Sequence, residues 1–421
     1  MGMETFSAMD NNGRSIKTLW IGQYSSEEMF QEMVSNGYTD AAGHVSQRNI
    51  IEALDTLGMQ TDTLNAYNVP AKYTARTVER RVWNRQVGTT DICIGFRNFG
   101  YAAHLLRARA MCVEAEQWVR SNRSHNLVVI VYAMQSSALA AALRIKQLAR
   151  HVHICLIVPD LPQYMDSHMS ITKKMLKALD WQVIKRQLPS IDSFVLYTGS
   201  MARFLDLPSH KWMIMEGSLA AADIPPAPTF DSHAKNIVMY SGSLDKRLGI
   251  LELLQAIELL KDENYEFWFT GTGSALLDLL LASKNDVRIK YLGFIPSRAA
   301  LLQKQQAASM LVNMRSPEEP MSAYSFPSKL LEYMATGRPV LSPRLGGIPS
   351  EYYQHLVTMP SIRPVDIASA IRRTASLSES ERTRIGAAAR NYIVENKTAD
   401  IQAQRIMHFL SGRLRTDGDH I

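Results

Sequence analysis

Between Tyr324 and Val340 the chain reads Tyr-Ser-Phe-Pro-Ser-Lys-Leu-Leu-Glu-Tyr-Met-Ala-Thr-Gly-Arg-Pro-Val, which brings a hydroxyl (Ser328), an ammonium (Lys329) and a carboxylate (Glu332) close together in sequence. On a helix, Glu332 projects from the same face as Ser328, one turn further in and roughly 6 Å along the axis. That offset suits a pyrophosphate at the helix end and a ribose at the carboxylate. The punctuation predicts such a helix: Ser325 or Phe326 as its cap, Pro327 in the first turn, Gly337 and Pro339 as its stop. The first turn then offers backbone N–H groups beside Ser328 and Lys329 to an anion. An ordinary capped surface helix carries the same punctuation.

Other loops hold comparable groups. Tyr240-Ser-Gly-Ser-Leu-Asp-Lys-Arg-Leu-Gly249 is a strand entering a turn, where Gly242 lets backbone approach a phosphate and Lys246 or Arg247 supplies charge. A plain βα loop with solvated cations explains it equally well. Phe267-Trp-Phe-Thr-Gly-Thr-Gly273 looks like a dinucleotide fingerprint, but Leu276 holds the third glycine position and no ribose-binding acid ends a following strand, so a nicotinamide site is not expected. Gly271 and Gly273 read instead as a tight turn lining a cleft. Gly293 and Phe294 end another strand and offer backbone and an aromatic face to a base. Asp160, in Pro159-Asp-Leu-Pro162, follows a strand and can orient or deprotonate a hydroxyl. A capped turn before Pro162 explains it nearly as well. His44 is expected in a loop over Gly43–Ser46, ahead of a helix running to about Leu57.

Strand-like and helix-like runs alternate from end to end, the pattern of parallel α/β sheets. Strands are predicted at 15–22, 91–96, 127–132, 153–158, 193–197 and 212–215, with helices at 102–120, 136–150 and 171–188. The proline-rich segment Ala221–Thr229 reads as a linker. A second unit follows, with strands at 236–241, 266–270, 287–292 and 309–313, helices at 248–260 and 274–282, and helices over 366–377, 379–395 and 400–414. A cleft between two such units is the expected ligand site.

At 421 residues, 46% hydrophobic and 20% charged, the chain is long enough for two soluble domains. No apolar run approaches a membrane span, and no signal-peptide core opens it. The three cysteines, Cys93, Cys112 and Cys155, keep no metal or disulfide spacing. These features point to the cytoplasm. The charge of +6 admits anionic partners, but no zinc-finger or aromatic RNA-binding signature is present, so nucleic acid is not expected. The one basic helix, 173–186, mixes lysines with leucines and Trp181 and suits an anionic membrane or, more simply, a solvated face.

Taken together these residues resemble the GT-B glycosyltransferases of family 4, often labelled group 1. Phe326, Glu332, Met334-Ala335, Gly337, Pro339-Val340, Gly346-Gly347 and Glu351 keep the family's register, and the resemblance runs from Tyr240 to about Glu351. It implies two Rossmann-like parallel-sheet domains facing a central cleft: 1–225, with helix 398–421 packing on it, for the acceptor, and 226–397 for the nucleotide sugar. It further implies Glu332 on the donor ribose and the amides near Ser328–Leu330 on the diphosphate, with Ser325, Phe326 and Ser243 beside them. Gly43–Gln47 stands where the family has a glycine loop near the reacting sugar, which puts His44 there. Four positions depart from the pattern. Tyr324 replaces the first glutamate of the pair, Ser243 an arginine, Leu248 a lysine and Lys329 a proline, the last restoring positive charge at the diphosphate. Ser-Phe-Pro-Ser-Lys-Leu-x-Glu-Tyr and Asp160-Leu-Pro look like the capsular and exopolysaccharide branch.

The activity so implied is retaining transfer of a sugar from a nucleoside diphosphate donor to a glycan or lipid-linked acceptor, at the inner face of the cell membrane. Asp160, Lys329, Tyr324 and His44 are its candidate catalytic groups. Neither cofactor nor metal is expected, since the one Asp-x-Asp, at Asp417 and Asp419, lies in the tail. A nucleotide-sugar epimerase or hydrolase of the same fold, or a silent partner subunit, are the alternatives.

Overall fold

Five consecutive apolar residues such as Leu127-Val-Val-Ile-Val131 belong in a sheet covered on both faces, and in the computed structural model all five are buried. Residues 15–35, 41–67, 77–98, 102–164, 171–228 and 236–416 are described. They form two compact units, one drawn from 1–197, 201–218 and 399–421, the other from 198–200 and 219–398.

The strands up to residue 218 are β1 (Ile16–Gly22), β2 (Thr61–Asn65), β3 (Thr77–Val78), β4 (Arg81–Trp83), β5 (Asp91–Cys93), β6 (Phe96–Arg97), β7 (Asn126–Tyr132), β8 (His153–Val158), β9 (Ser193–Leu196) and β10 (Trp212–Ile214). Eight of them form one sheet in the order β10-β9-β8-β7-β1-β2-β5-β4. It is parallel except for the antiparallel edge pair β4–β5. β3 and β6 make a separate antiparallel pair. The helices are α1 (Glu27–Ser35), α2 (Ala41–Thr56), α3 (Ala102–Ser121), α4 (Ser136–Leu148), α5 (Ile171–Gln187) and α6 (Gly199–Phe204).

β2, Thr-Asp-Thr-Leu-Asn, is absent from the sequence reading because it is polar, yet every residue in it is buried. Its polar groups are matched by neighbours distant in sequence. Asp62 accepts from Lys17 Nζ (3.0 Å) and Trp118 Nε1 (2.8 Å), and Thr63 Oγ1 donates to Asp91 (2.8 Å). Buried polar groups are tolerated on such terms. The C-terminal helix Ala399–Thr416 packs on α2 and buries Ala403, Ile406 and Leu410.

In the second unit β11 (Asn236–Ser241), β12 (Tyr265–Thr270), β13 (Ile289–Tyr291), β14 (Met310–Val312), β15 (Val340–Pro343) and β16 (Val357–Met359) form a sheet in the order β13-β12-β11-β14-β15-β16. Every pairing is parallel. The helices are α7 (Ile250–Glu258), α8 (Leu276–Asn285), α9 (Arg298–Ala307), α10 (Met321–Tyr324), α11 (Lys329–Ala335), α12 (Pro364–Ala375) and α13 (Glu379–Asn396). Strand alternation feeds two cores. Val238, Tyr240, Met310 and Val312 enter one, and Ile237, Met239 and Leu311 the other. α9 lies where the sequence reading has no helix. The proline segment is fixed to this unit, since the Pro225 carbonyl accepts from Arg390 (2.8 Å) and that of Pro226 from Gln306 (2.6 Å).

Candidate functional site

In the second unit the strand order reverses between β11 and β14, and open α/β sheets bind ligands at the carboxyl ends of strands at such a point. The turn after β11 carries Gly242 at φ +128°, a conformation that favours glycine. Its neighbour is the turn after β12. A Cβ at Gly271 would stand 1.9 Å from the Gly242 carbonyl oxygen, and one at Gly273 would stand 2.3 Å from the Leu244 carbonyl carbon. Gly242 N–H donates to Thr270 O (3.1 Å), and Leu244 N–H to Thr272 O (2.8 Å). Gly271 and Gly273 therefore serve close packing of two loops. Gly293 O accepts from Gly271 N–H (3.1 Å) and Thr270 Oγ1 (2.6 Å), tying in a third loop. From that loop Phe294 stands 68% exposed, a free aromatic face.

Above Gly242 the space belongs to Lys329. Its Nζ lies 3.5 Å from where a Gly242 Cβ would be, donates to Tyr240 Oη at 2.8 Å, and sits 4.0 Å from the centre of that ring. Burial, and then Arg315 nearby, pull the Lys329 ammonium down to about 7, with Glu332 opposing. Arg315 follows β14 and donates to the Ser325 carbonyl (2.9 Å). Glu332 lies 3.4 Å from Arg298. Burial raises the Glu332 pKa, and Arg298 partly restores it. Tyr333, on the next position of α11, receives Ser241 N–H (2.8 Å) and donates to Ser241 O (2.7 Å), fixing the helix to the end of β11.

Other expected positions fall differently. The cap expected at Ser325 or Phe326 is not formed: α11 begins three residues later, with Ser328 at the N-cap making no side-chain cap bond. Ser325 is extended, and Phe326 is buried against Tyr352 with ring centres 5.3 Å apart, so core packing decides the helix start. Two first-turn amides are already used, Leu330 N–H on Pro327 O (2.8 Å) and Leu331 N–H on Ser328 O (3.2 Å). The Leu330 side chain is also core. Lys246 pairs with Asp278 (2.9 Å) and Arg247 with Asp245 (3.1 Å), while Ser243 is exposed. Tyr324 is half-buried at the end of α10. The sequence reading gave no role to Tyr240, Arg315, Arg298 or Tyr333. Only the positions of Tyr240, Arg315 and Arg298 at or near strand and helix ends hint at one.

In the first unit the expected loop at Gly43–Ser46 is helical, inside α2. His44 is 2% exposed and stacked between Phe30 (4.0 Å) and Tyr24 (5.8 Å). Desolvation lowers its pKa to about 4. It is a neutral core ring at neutral pH. The aromatic partners come from α1 and the segment before it, which the sequence reading lacks. Asp160 follows β8 half-buried, close enough to Tyr197 to add to the burial that raises that hydroxyl's pKa. Tyr197 Oη and Ser46 Oγ share a hydrogen bond of 2.9 Å.

Among the described residues, no three His, Cys, Asp or Glu converge to hold a metal, and no helix is long and apolar enough to cross a membrane. Asp417 and Asp419 lie outside the described residues. An open groove of about 490 Å³ at the β16 edge, lined by Arg344, Thr358 and Arg373 among others, contains none of the expected site residues.

Residues 235–376 match a family model described as "Glycosyl transferases group 1". No curated protein matches the chain. Three solved structures are similar over nearly the whole chain. Sucrose-phosphate synthase from Thermosynechococcus elongatus is 14% identical, covering 95% of this chain and 100% of its own, with a TM-score of 0.64. An apo lipopolysaccharide outer core galactosyltransferase is 13% identical, covering 93% and 99%, with a TM-score of 0.63. Anabaena HepE, in complex with UDP and glucose, is 13% identical, covering 94% and 99%, with a TM-score of 0.61. The fold is that of the GT-B glycosyltransferases, two parallel-sheet α/β domains.

Proposed function

We propose that the chain is a retaining glycosyltransferase that moves a sugar from a nucleoside diphosphate donor to a lipid-linked or glycan precursor of the cell surface. The observation that carries this reading is the Lys329 ammonium held over the Gly242 turn at the reversal of strand order, with Glu332 further along the same helix. The diphosphate belongs at the turn, against Lys329 and Arg315. Glu332 takes the ribose hydroxyls and Phe294 the base. Asp160, in the first unit, orients the acceptor hydroxyl. The UDP bound to Anabaena HepE is a ligand of the proposed class.

Departure of a nucleoside diphosphate develops negative charge, and preorganised cations stabilise it without needing to be assembled at that moment. Lys329 and Arg315 fill this role, so the reaction needs no divalent ion. Nucleoside diphosphate release from a panel of UDP-, GDP- and ADP-sugars, with and without a lipid-linked acceptor and in excess EDTA, tests the reading. Acceptor-dependent release that survives EDTA is expected. Release without acceptor indicates a hydrolase, and binding without release a silent subunit; either overturns the proposal, and abolition by EDTA overturns the metal-free mechanism.

The acceptor class is supported by α5. Met175, Leu179 and Val183, four residues apart, are exposed beside Leu176, with Lys174, Lys185 and Arg186 also exposed. An apolar stripe flanked by cations fits an anionic membrane surface. Changing Lys174, Lys177 and Lys185 to glutamine should weaken vesicle binding most at low salt, by about 1 kcal/mol for each cation. Binding unaffected by those changes removes the membrane contact.

A further inference from the structure

We infer that Tyr240 is a positioning residue whose hydroxyl ties the Lys329 ammonium to the Gly242–Ser243 turn, an assignment that rests on the diphosphate reading above. The Tyr240 ring is 1% exposed in the core beside Phe269, with ring centres 6.4 Å apart, and the hydroxyl stands at the end of β11. That hydroxyl has one proton, which goes to the Ser243 carbonyl at 2.7 Å. Its oxygen is thereby left to accept from Lys329 Nζ at 2.8 Å. One side chain thus joins the backbone of the turn to the cation above it. The ring also lies beneath the ammonium, 4.0 Å from ring centre to Nζ.

Tyr240 itself transfers no proton. Burial first, and then Tyr333, push its ionisation far above neutrality, with Asp245 adding and Arg315 opposing. Its work is to hold Lys329 in place and in its charged form. Arg315 from the β14 loop disfavours that charge, and Glu332 on α11 favours it. The Tyr240 lone pair adds to the favourable side, because a hydrogen bond accepted from the charged form stabilises it. Removal of the hydroxyl leaves the ring and its packing but lowers the Lys329 pKa further, so the cation is lost at a lower pH.

The test is Tyr240→Phe, with UDP, GDP and ADP as probes and uridine, guanosine and adenosine as controls, by calorimetry from pH 6.5 to 9. The parent is expected to bind one of the diphosphates less tightly as pH rises. In Tyr240→Phe the affinity should fall about five- to tenfold at pH 8, the scale of one hydrogen bond. Its decline should begin at lower pH, and nucleoside affinity should stay at the parent value. Lys329→Met should lose the pH dependence. Equal diphosphate affinity and pH profile in Tyr240→Phe, alongside a defect in Lys329→Met, overturns the role of Tyr240 and leaves the diphosphate reading standing. Parallel loss of nucleoside and diphosphate affinity in Tyr240→Phe also overturns it, as a general packing defect. No diphosphate bound by the parent overturns both.

Discussion

Each unit reverses its strand order once beside a glycine at or just past the end of a strand, and the two junctions are finished in opposite ways. In the first unit the reversal lies between β1 and β7, and the Gly22 end of β1 is filled by a neutral amide. A Cβ there would meet Gln47 Oε1 at 2.1 Å, and the same oxygen accepts from Trp20 Nε1 (3.2 Å) and Gln23 N–H (2.9 Å). In the second unit the space beside Gly242 is held by an ammonium, with a guanidinium close by. One topology therefore yields a junction closed by internal hydrogen bonds and another that keeps positive charge at the strand end. The difference supports the proposal that the phosphates bind in the second unit, since among the described residues positive charge stands only at its junction.

The harshest way to break this contrast is at the glycines themselves. Gly271→Ala places a methyl into the Gly242 carbonyl at φ +129°. Overpacking and backbone strain together should cost about 2–6 kcal/mol, read as loss of cooperative melting of the second unit. Gly242→Ala meets no atom closer than 3.5 Å and should cost only the strain, about 1–3 kcal/mol. Equal melting losses in the two variants would show that the loops do not pack as described.

Next in size is Glu332→Gln: on the proposed donor site it removes a charge-assisted hydrogen bond to the ribose and should cost about 1.5–3 kcal/mol, or roughly ten- to a hundredfold in donor affinity. Calorimetry showing unchanged affinity removes Glu332 from the site. Lys329→Ala should lower turnover by roughly tenfold or more. It should also alter the pH dependence of stability. A lysine brought from 10.5 to about 7 by folding binds fewer protons folded than unfolded between those values, so stability rises with pH across that window. Melting curves at pH 7 and pH 10 should show the rise in the parent and its loss in the variant.

The smallest effect belongs to the first unit. With its pKa moved from 6.5 to about 4, His44 is neutral when folded but charged when unfolded between those values, so it weakens the fold as pH falls through the window. His44→Phe should remove that acid sensitivity and leave the pH–rate profile above pH 6 unchanged. A changed profile would return His44 to the chemistry.

The same contrast explains what could be read from the chain. Apolar strands such as β8 and β11 are legible because the residues 154–158 and 237–240 each carry their own evidence of burial. β2 is not, because its threonines, aspartate and asparagine become acceptable inside only once Lys17, Trp118 and Asp91 arrive from elsewhere. Lys329 and Glu332 were visible because they share one helix. Tyr240 and Arg315 meet Lys329 from 89 and 14 residues away, so no local spacing announces them. His44 misled for a related reason, since the rings that enclose it, Phe30 and Tyr24, stand 14 and 20 residues away, in α1 and the segment before it.

The chain leaves the first unit at residue 218 and re-enters it at residue 399. The two passages lie side by side: Leu219 pairs with Thr398, and Gln402 Nε2 donates to the Gly217 carbonyl at 3.0 Å. During synthesis, when domains usually fold in order of emergence, this arrangement inverts the schedule. Residues 219–398 are complete before Ala403, Ile406 and Leu410 exist to cover α2. A chain cut after residue 398 would thus hold every residue of the second unit and a first unit still open along one helix.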